Sequence, residues 1–529
     1  MQGFRRNALV TAMLAAALLS VGGCDNGASN NGYTLSTGDS SPGIPTTPTS
    51  PTTPTAAVAN PTIEGPVTGG LGLISVSSTM FPLSLVGYTA AEYFMSGNAS
   101  SYVSDSALTS DGVWTARPAT GTAPYKTRIV VYKPASPAKF NGTVIVEWLN
   151  VSGGLDTAPG WINAHTELTR QGYAWVGVTA QKEGIDGGGS ISVVDLPLKK
   201  FDAKRYGSLL HPGNKYSYDI FSQAAQAILH PNGLNPLAGL TIRKMIASGE
   251  SQSAMRMVTY VNAIAPLTRL FDGFMIHSRT FGAAPLSVDS SMFDSSVPNI
   301  VHVRTDIAPV MTLQTESDLF LLEYYASRQD DSSNFRLWEV AGTSHADIYT
   351  LTGLTDVAGT DAKYAEVVEN SKPLPGIIEC AKPVNAGPQH FVVSAAYAAL
   401  NRWVTTGIAP TSAPRLSVND AGTAYSADAH GNTLGGIRTP YVDAPIATLS
   451  AYGQPGSMDT IGNNSESFCF LFGTTTLFDS ATLKSLYPTH ASYVNAVNAS
   501  ADSALAQGFL LESDAALMKK AAQASTIGN

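Results

Sequence analysis

Apolar residues in this chain gather in short unbroken runs. They lie at 125–132 (containing RIVVY), 143–149 (TVIVEWL), 173–179 (YAWVGVT), 244–248, 273–277, 309–313 and 335–341. Runs of that length without alternation fit strands buried on both faces. Between them, 163–171, 218–229, 253–265, 317–327 and 391–406 read as helices. In the third, Ala254, Met257, Val258, Val261, Ile264 and Ala265 recur at helical spacing, and Pro266 is expected to end the run. Strands alternating with helices imply an α/β fold with a mostly parallel sheet and helices on both faces. No internal repeat is present. Longer irregular stretches at 183–212, 280–298 and 346–389 are expected to form a cap or lid, because long loops in compact domains usually cover or serve a site. After Arg415 the sequence predicts mostly loop, then a C-terminal helix from Asp514.

One turn adds chemistry to this plan. The run at 244–248 passes into Gly249-Glu-Ser251-Gln-Ser253 and then directly into the helix. Such a strand–turn–helix forces its central serine into strained backbone geometry and lifts the hydroxyl clear of the sheet; the residues two before and two after must be small. Ser251 is therefore the candidate nucleophile, at the carboxyl end of a central strand where open α/β sheets place their ligands.

A serine needs a base, and the base an orienting acid, in the chain order Ser, acid, His for this arrangement. His345 follows the strand FRLWEVAG in the turn GTSHAD; of nine histidines only His390, which opens a helix, is a rival, and His277 at a strand end could line the pocket. The acid should follow the preceding strand, where Asp318 fits best, with Glu316 as the alternative and Asp306 ahead of the strand. Asp318 also fits a helix cap, a structural reason for its presence. Oxyanion donors are expected from the amide of Gln252 and from Val151 or Ser152, in the Gly-rich turn after the second strand. No metal-ligand spacing or phosphate-binding loop occurs, so no cofactor or metal is expected.

The first 23 residues read as a lipoprotein signal peptide: Arg5 and Arg6, an apolar stretch from Ala8 to Leu19, then Val-Gly-Gly before Cys24, the expected lipidation site. Residues 24–61 are rich in Ser, Thr, Gly, Asn and Pro, with Pro45, Pro48, Pro51 and Pro54 at the polyproline II period, and are expected to be a disordered tether. Residues 62–529 are expected to form one α/β domain with insertions. Losing the signal moves the formal charge from −9 to −11. An acidic body with no basic stripe argues against nucleic acid as a partner. The expected location is the bacterial cell envelope, anchored to a membrane through Cys24. The two remaining cysteines, Cys380 and Cys469, are expected to pair in an oxidising compartment.

Taken together, FNGTVIVEWLNVSGGLD, GYAWVGVTAQKEG, YSYDIFSQAAQAI, ASGESQSAMRMVTYVNA, FDGFMIHSR, VMTLQTESDL, FRLWEVAGTSHAD and GGIRTPYVDAP resemble the bacterial alpha/beta hydrolase domain proteins, a family of large serine esterases described mostly by their sequences. The likeness runs from about residue 62 almost to the C-terminus. It implies the α/β-hydrolase fold and a Ser/acid/His triad at Ser251, the Glu316–Asp318 turn and His345. Ser253 departs from the usual glycine at the end of the serine motif but keeps that position small. The expected activity is hydrolysis of carboxylic esters, small or polymeric, through an acyl-enzyme. An acyltransferase or amidase would use the same residues, and a non-catalytic surface binding protein would use the scaffold alone. The sequence leaves the substrate, the lid and the oligomeric state open.

Overall fold

The computed structural model describes residues 57–191, 194–289, 292–455 and 468–529. The expected signal, Cys24 and most of the tether lie outside them. Nine strands form one sheet: β1 (Thr62–Glu64), β2 (Tyr88–Ser104), β3 (Ala116–Pro134), β4 (Thr143–Trp148), β5 (Ala174–Val178), β6 (Lys244–Glu250), β7 (Gly273–His277), β8 (Val310–Thr315) and β9 (Phe335–Val340), in the order β1-β2-β3-β5-β4-β6-β7-β8-β9. Pairing is parallel from β5 through β9 and antiparallel among β1, β2, β3 and β5.

The helices that matter here are α1 (Pro159–Arg170), α2 (Ser217–Leu229), α3 (Gln252–Thr259), α4 (Glu316–Phe320), α5 (Gln389–Thr406), α6 (His490–Gln507) and α7 (Glu512–Ala524). Strand side chains alternate between two cores. Val144, Val146, Met245 and Ala247 pack with α2 and α3 on one face; Ile145, Trp175, Ile246 and Met311 pack with α1 and α5 on the other. Each fully buried side chain of this size contributes about 1.5–3 kcal/mol, so both faces hold the sheet and fix its register.

Several expectations need correction. β1, β2 and the first half of β3 were not visible as apolar runs. β2 buries Tyr93, Met95, Ala99 and Tyr102, and its alternation is interrupted by a bulge between Ser100 and Tyr102. Asp219 of α2 fills that bulge, accepting from the Ser100 amide at 2.7 Å and the Tyr102 hydroxyl at 3.1 Å. Pro266 does not end its helix. Tyr260–Ile264 form a π turn after α3, and a last helical turn, Ala265–Thr268, follows. Proline leaves the Asn262 carbonyl without its helical donor, and Arg304 Nη1 supplies one at 3.0 Å. The stretch 317–327 is not one helix: α4 stops at Phe320, Glu323 takes a left-handed backbone, and Tyr324–Ser327 form a 3-10 turn. Nor is the region after Arg415 mostly loop. It holds a hairpin, β10 (Ala447–Ser450) with β11 (Thr474–Leu477), and the helical pair α6 and α7.

Candidate active site

Ser251 joins β6 to α3 with φ 57° and ψ −121°, a conformation that costs a non-glycine residue roughly 1–3 kcal/mol. Its neighbours hold it there. The Ser251 amide donates to the His277 carbonyl at 3.0 Å, and the Met255 amide to the Ser251 carbonyl at 3.2 Å. A Cβ on Gly249 would stand 2.6 Å from the Ser253 carbonyl oxygen, which is why the turn needs a small residue there. Ser253 is fully buried and donates its hydroxyl to the Leu149 carbonyl at 3.3 Å, so a serine is accommodated where glycine is usual.

The loop after β9 brings His345 over this turn. Ser251 Oγ lies 2.9 Å from His345 Nε2, and Asp318 Oδ1 lies 2.7 Å from Nδ1. A carboxylate only accepts, so the ring proton belongs on Nδ1, and Nε2 is left to accept from the serine. Burial alone would lower the His345 pKa. The hydrogen bond and charge of Asp318, with the charge of Glu250, outweigh it and leave the ring more basic than an ordinary histidine.

Asp318 is not an N-cap. Thr315 holds that position, and Asp318 stands three residues in, its Oδ2 accepting from the Thr315 amide at 2.7 Å in a capping box. One oxygen thus serves the helix and the other the imidazole. Glu316 points elsewhere: it accepts from the Gly342 amide at the base of the histidine loop, and Tyr425 donates to its backbone carbonyl. Burial pushes its carboxyl up to about 8. Asp306 is exposed and bound to Arg304. His390 lies away from the serine, stacked on Tyr349 at 3.5 Å and kept neutral by burial. His277 is buried and held down to about 4 by desolvation; Gln389 Nε2 lies 3.2 Å from its Nε2 and 3.4 Å from the His345 carbonyl.

Of the expected oxyanion donors, Gln252 opens α3, whose first amides point away from the helix. The Ser152 amide is taken: it donates to Asn150 Oδ1 at 2.8 Å. That side-chain turn leaves the Val151 amide as the donor without a partner among the described residues.

Sequence reasoning passed over Glu250. Its Oε1 lies 3.5 Å from His345 Nε2, while Asn150 Nδ2 reaches its Oε2 at 3.3 Å and its carbonyl at 3.1 Å. Burial raises this carboxyl to about 7, against the opposing charge of His345. The signal was present: a carboxylate at the end of an otherwise uncharged buried run.

The irregular stretches converge here. The Ile191 amide donates to the Ser152 carbonyl and that of Leu196 to Gly154, so the 183–212 stretch lies against the Val151–Gly154 turn. The 280–298 stretch packs on α3 through the Ala284 amide, which donates to Met255. Cys380 and Cys469 are disulfide-bonded, in a small apolar cluster with Ala346, Val384, Leu471 and Phe472 beside the histidine. Leu471 accepts from the Ala346 amide at 3.1 Å, and Ala451 from the Ser317 hydroxyl at 2.8 Å. The Phe468 ring lies 3.4 Å from where a Cβ on Gly153 would be. The C-terminal extension therefore covers the site, a role its loop-like sequence did not suggest.

The solved structures this chain is similar to include an esterase from the fungus Rhizomucor miehei (10% identity, 49% of this chain and 77% of that one covered, TM-score 0.23). They also include the esterase Est22 (12%, 51% and 77%, TM-score 0.28) and a glucuronoyl esterase from Solibacter usitatus (11%, 54% and 81%, TM-score 0.27). None of the curated proteins matches. The model of the alpha/beta hydrolase domain family matches residues 63–520, nearly the whole of the described chain. The chain belongs to the alpha/beta hydrolase domain family and is a hydrolase.

Proposed function

We propose that this protein is a cofactor-independent serine esterase that works through an acyl-enzyme. The observation that carries the reading is the row Asp318 Oδ1, His345, Ser251 Oγ, with contacts of 2.7 and 2.9 Å ending on a serine in the strained turn. Ser251 Oγ attacks the ester carbonyl carbon while His345 Nε2 takes its proton. The carbonyl electron pair moves onto oxygen, where the amides of Gln252 and Val151 receive it. Collapse of the intermediate expels the alcohol, which leaves with the proton from His345. Water then repeats the sequence on the acyl-enzyme and frees the acid and Ser251. Asp318 keeps the ring in the tautomer that each step requires.

The test is Ser251→Ala in a screen of p-nitrophenyl esters of increasing chain length, alongside a fluorophosphonate probe. The variant is expected to lose covalent labelling and at least 10³ in turnover with its melting curve unchanged. Turnover within about tenfold of wild type would place the nucleophile elsewhere.

We also propose that Cys24 carries a lipid that anchors the enzyme to a membrane of the cell envelope, with the Pro-rich residues 24–61 as tether. The support is the basic-then-apolar pattern ahead of Cys24 and the polar tract behind it. Among the described residues no helix is long and apolar enough to cross a membrane. Labelled fatty acid should enter the wild type and not Cys24→Ser; equal incorporation would end the proposal.

A further inference from the structure

We propose that Glu250 is a positioning residue for His345: a second carboxylate, facing Nε2, that stabilises the positive charge the ring takes on with the Ser251 proton. The inference rests on the serine-esterase reading above. Asp318 stands 2.7 Å from Nδ1 and Glu250 Oε1 stands 3.5 Å from Nε2, so the ring has a carboxylate at each nitrogen. Glu250 is held in that place. Asn150 Nδ2 reaches both its Oε2 and its backbone carbonyl, and the same asparagine accepts from the Ser152 amide through Oδ1. The position of the carboxylate is thereby tied to the turn that carries Val151.

The chemistry follows from the distance. While Nε2 presents a lone pair to Ser251, a carboxylate oxygen 3.5 Å away gains nothing from it. Once the Oγ–H bond breaks, the proton sits on Nε2 and the Oγ–carbon bond forms, and the same oxygen faces a cation. Glu250 takes no proton in this step. An interaction that strengthens only as charge develops lowers the barrier instead of merely stabilising the resting enzyme. The titratable groups facing Glu250 are His345 above it, Asp318 on α4, Glu147 on β4, Tyr397 on α5, and His277, its register partner on β7. Two of these are carboxylates, and desolvation adds to their effect; the charge His345 takes on and the hydrogen bond from Asn150 oppose them.

A purely structural glutamate would serve only Asn150, and a glutamine can do that. The two roles separate in the pH dependence of fluorophosphonate labelling, which needs no known substrate. Labelling requires the neutral ring, and the negative charge of Glu250 raises the ring pKa. Glu250→Gln should therefore move the acid limb of the labelling rate to lower pH, by about one unit, and slow the plateau about tenfold. Its melting temperature should stay near that of wild type. If Glu250→Gln does not fold, Glu250→Ser carries the same expectation for the acid limb. An acid limb within about 0.2 unit of wild type overturns the inference. Ser251→Ala serves as the control: a wild type that does not label, or a Ser251→Ala variant that labels equally, would instead bring down the esterase reading itself.

Discussion

Two regions of this molecule bury charge in opposite ways. At the antiparallel end, Arg128 lies fully buried between Glu92 (2.8 Å) and Asp156 (2.6 Å), and Arg205 binds the other oxygen of Glu92 at 2.6 Å. Two cations meet two anions, and Tyr206 and Thr179 add hydrogen bonds to Glu92 and Asp156. At the parallel end Glu339 pairs with Arg328, but Glu147, Glu250, Glu316 and Asp318, also buried, pair with no lysine or arginine among the described residues. They are held by amides, by Trp175, by Asn150 and by His345. Burial pushes Glu147 and Glu250 to about 7 and Glu316 to about 8. Matched charge fastens one part of a fold to another. Unmatched carboxylates with displaced proton affinities mark where protons can be handled.

Breaking the unmatched side at its centre should have the largest effect. Asp318→Asn keeps an acceptor for the Thr315 amide but loses the charge that fixes the His345 tautomer. It should lose between a hundredfold and about 10⁴ in turnover, with a melting point within a few degrees of wild type. A loss under tenfold in a steady-state assay would move the orienting acid to another residue.

The matched side predicts the reverse pattern. Arg128→Met leaves Glu92 and Asp156 facing each other without their shared cation, and urea unfolding should show a loss of about 3–5 kcal/mol. Turnover per fluorophosphonate-titrated site should be unchanged. Lost turnover without lost stability would mean that this cluster belongs to the site after all.

Glu316→Gln is the mildest test. Because the folded state raises this carboxyl to about 8 from 4.5, it contributes stability that is full below about pH 4.5 and is lost as pH rises toward 8. Glutamine removes that dependence while keeping an acceptor for Gly342. Thermal melts across pH 5–8.5 should show the variant gaining on wild type as pH rises, by roughly 3 kcal/mol between pH 5 and pH 8, with turnover within about tenfold. A parallel offset at every pH would mean that the fold does not raise the Glu316 carboxyl and leaves it charged across this range.

What the sequence made legible was whatever a local pattern imposes. The elbow is written in consecutive residues, and His345 in a turn that follows a strand. Asp318 and Glu316 are two residues apart at one helix start, and spacing alone could not separate them. The structure sends one to the ring and the other to Gly342. Capping and orienting looked like rival duties for Asp318, but a carboxylate has two oxygens and performs both. The Ser152 amide was lost to a side-chain turn from Asn150, a competition that composition does not display. α6 was missed because the stripe it buries, Tyr493, Val497, Ser500, Ala501 and Ala504, is mostly alanine and serine. The stretch 319–327 has helical composition throughout, and only the left-handed backbone at Glu323 interrupts it. Tertiary context decided each of these cases.

The hydrogen bonds from the C-terminal extension to the site also order events in time. A chain synthesised only as far as Ser450 already contains the serine, the histidine and the carboxylate. It lacks Ala451, which accepts from Ser317 beside the acid, and Leu471 and Phe472, whose carbonyls receive the amides of Ala346 and Asn385. The part of the chain that carries the chemistry therefore precedes the part that braces it by more than a hundred residues. Hydrolytic competence should arrive only as the last segments emerge, so that a nascent or prematurely ended chain carries every reactive group and no working enzyme.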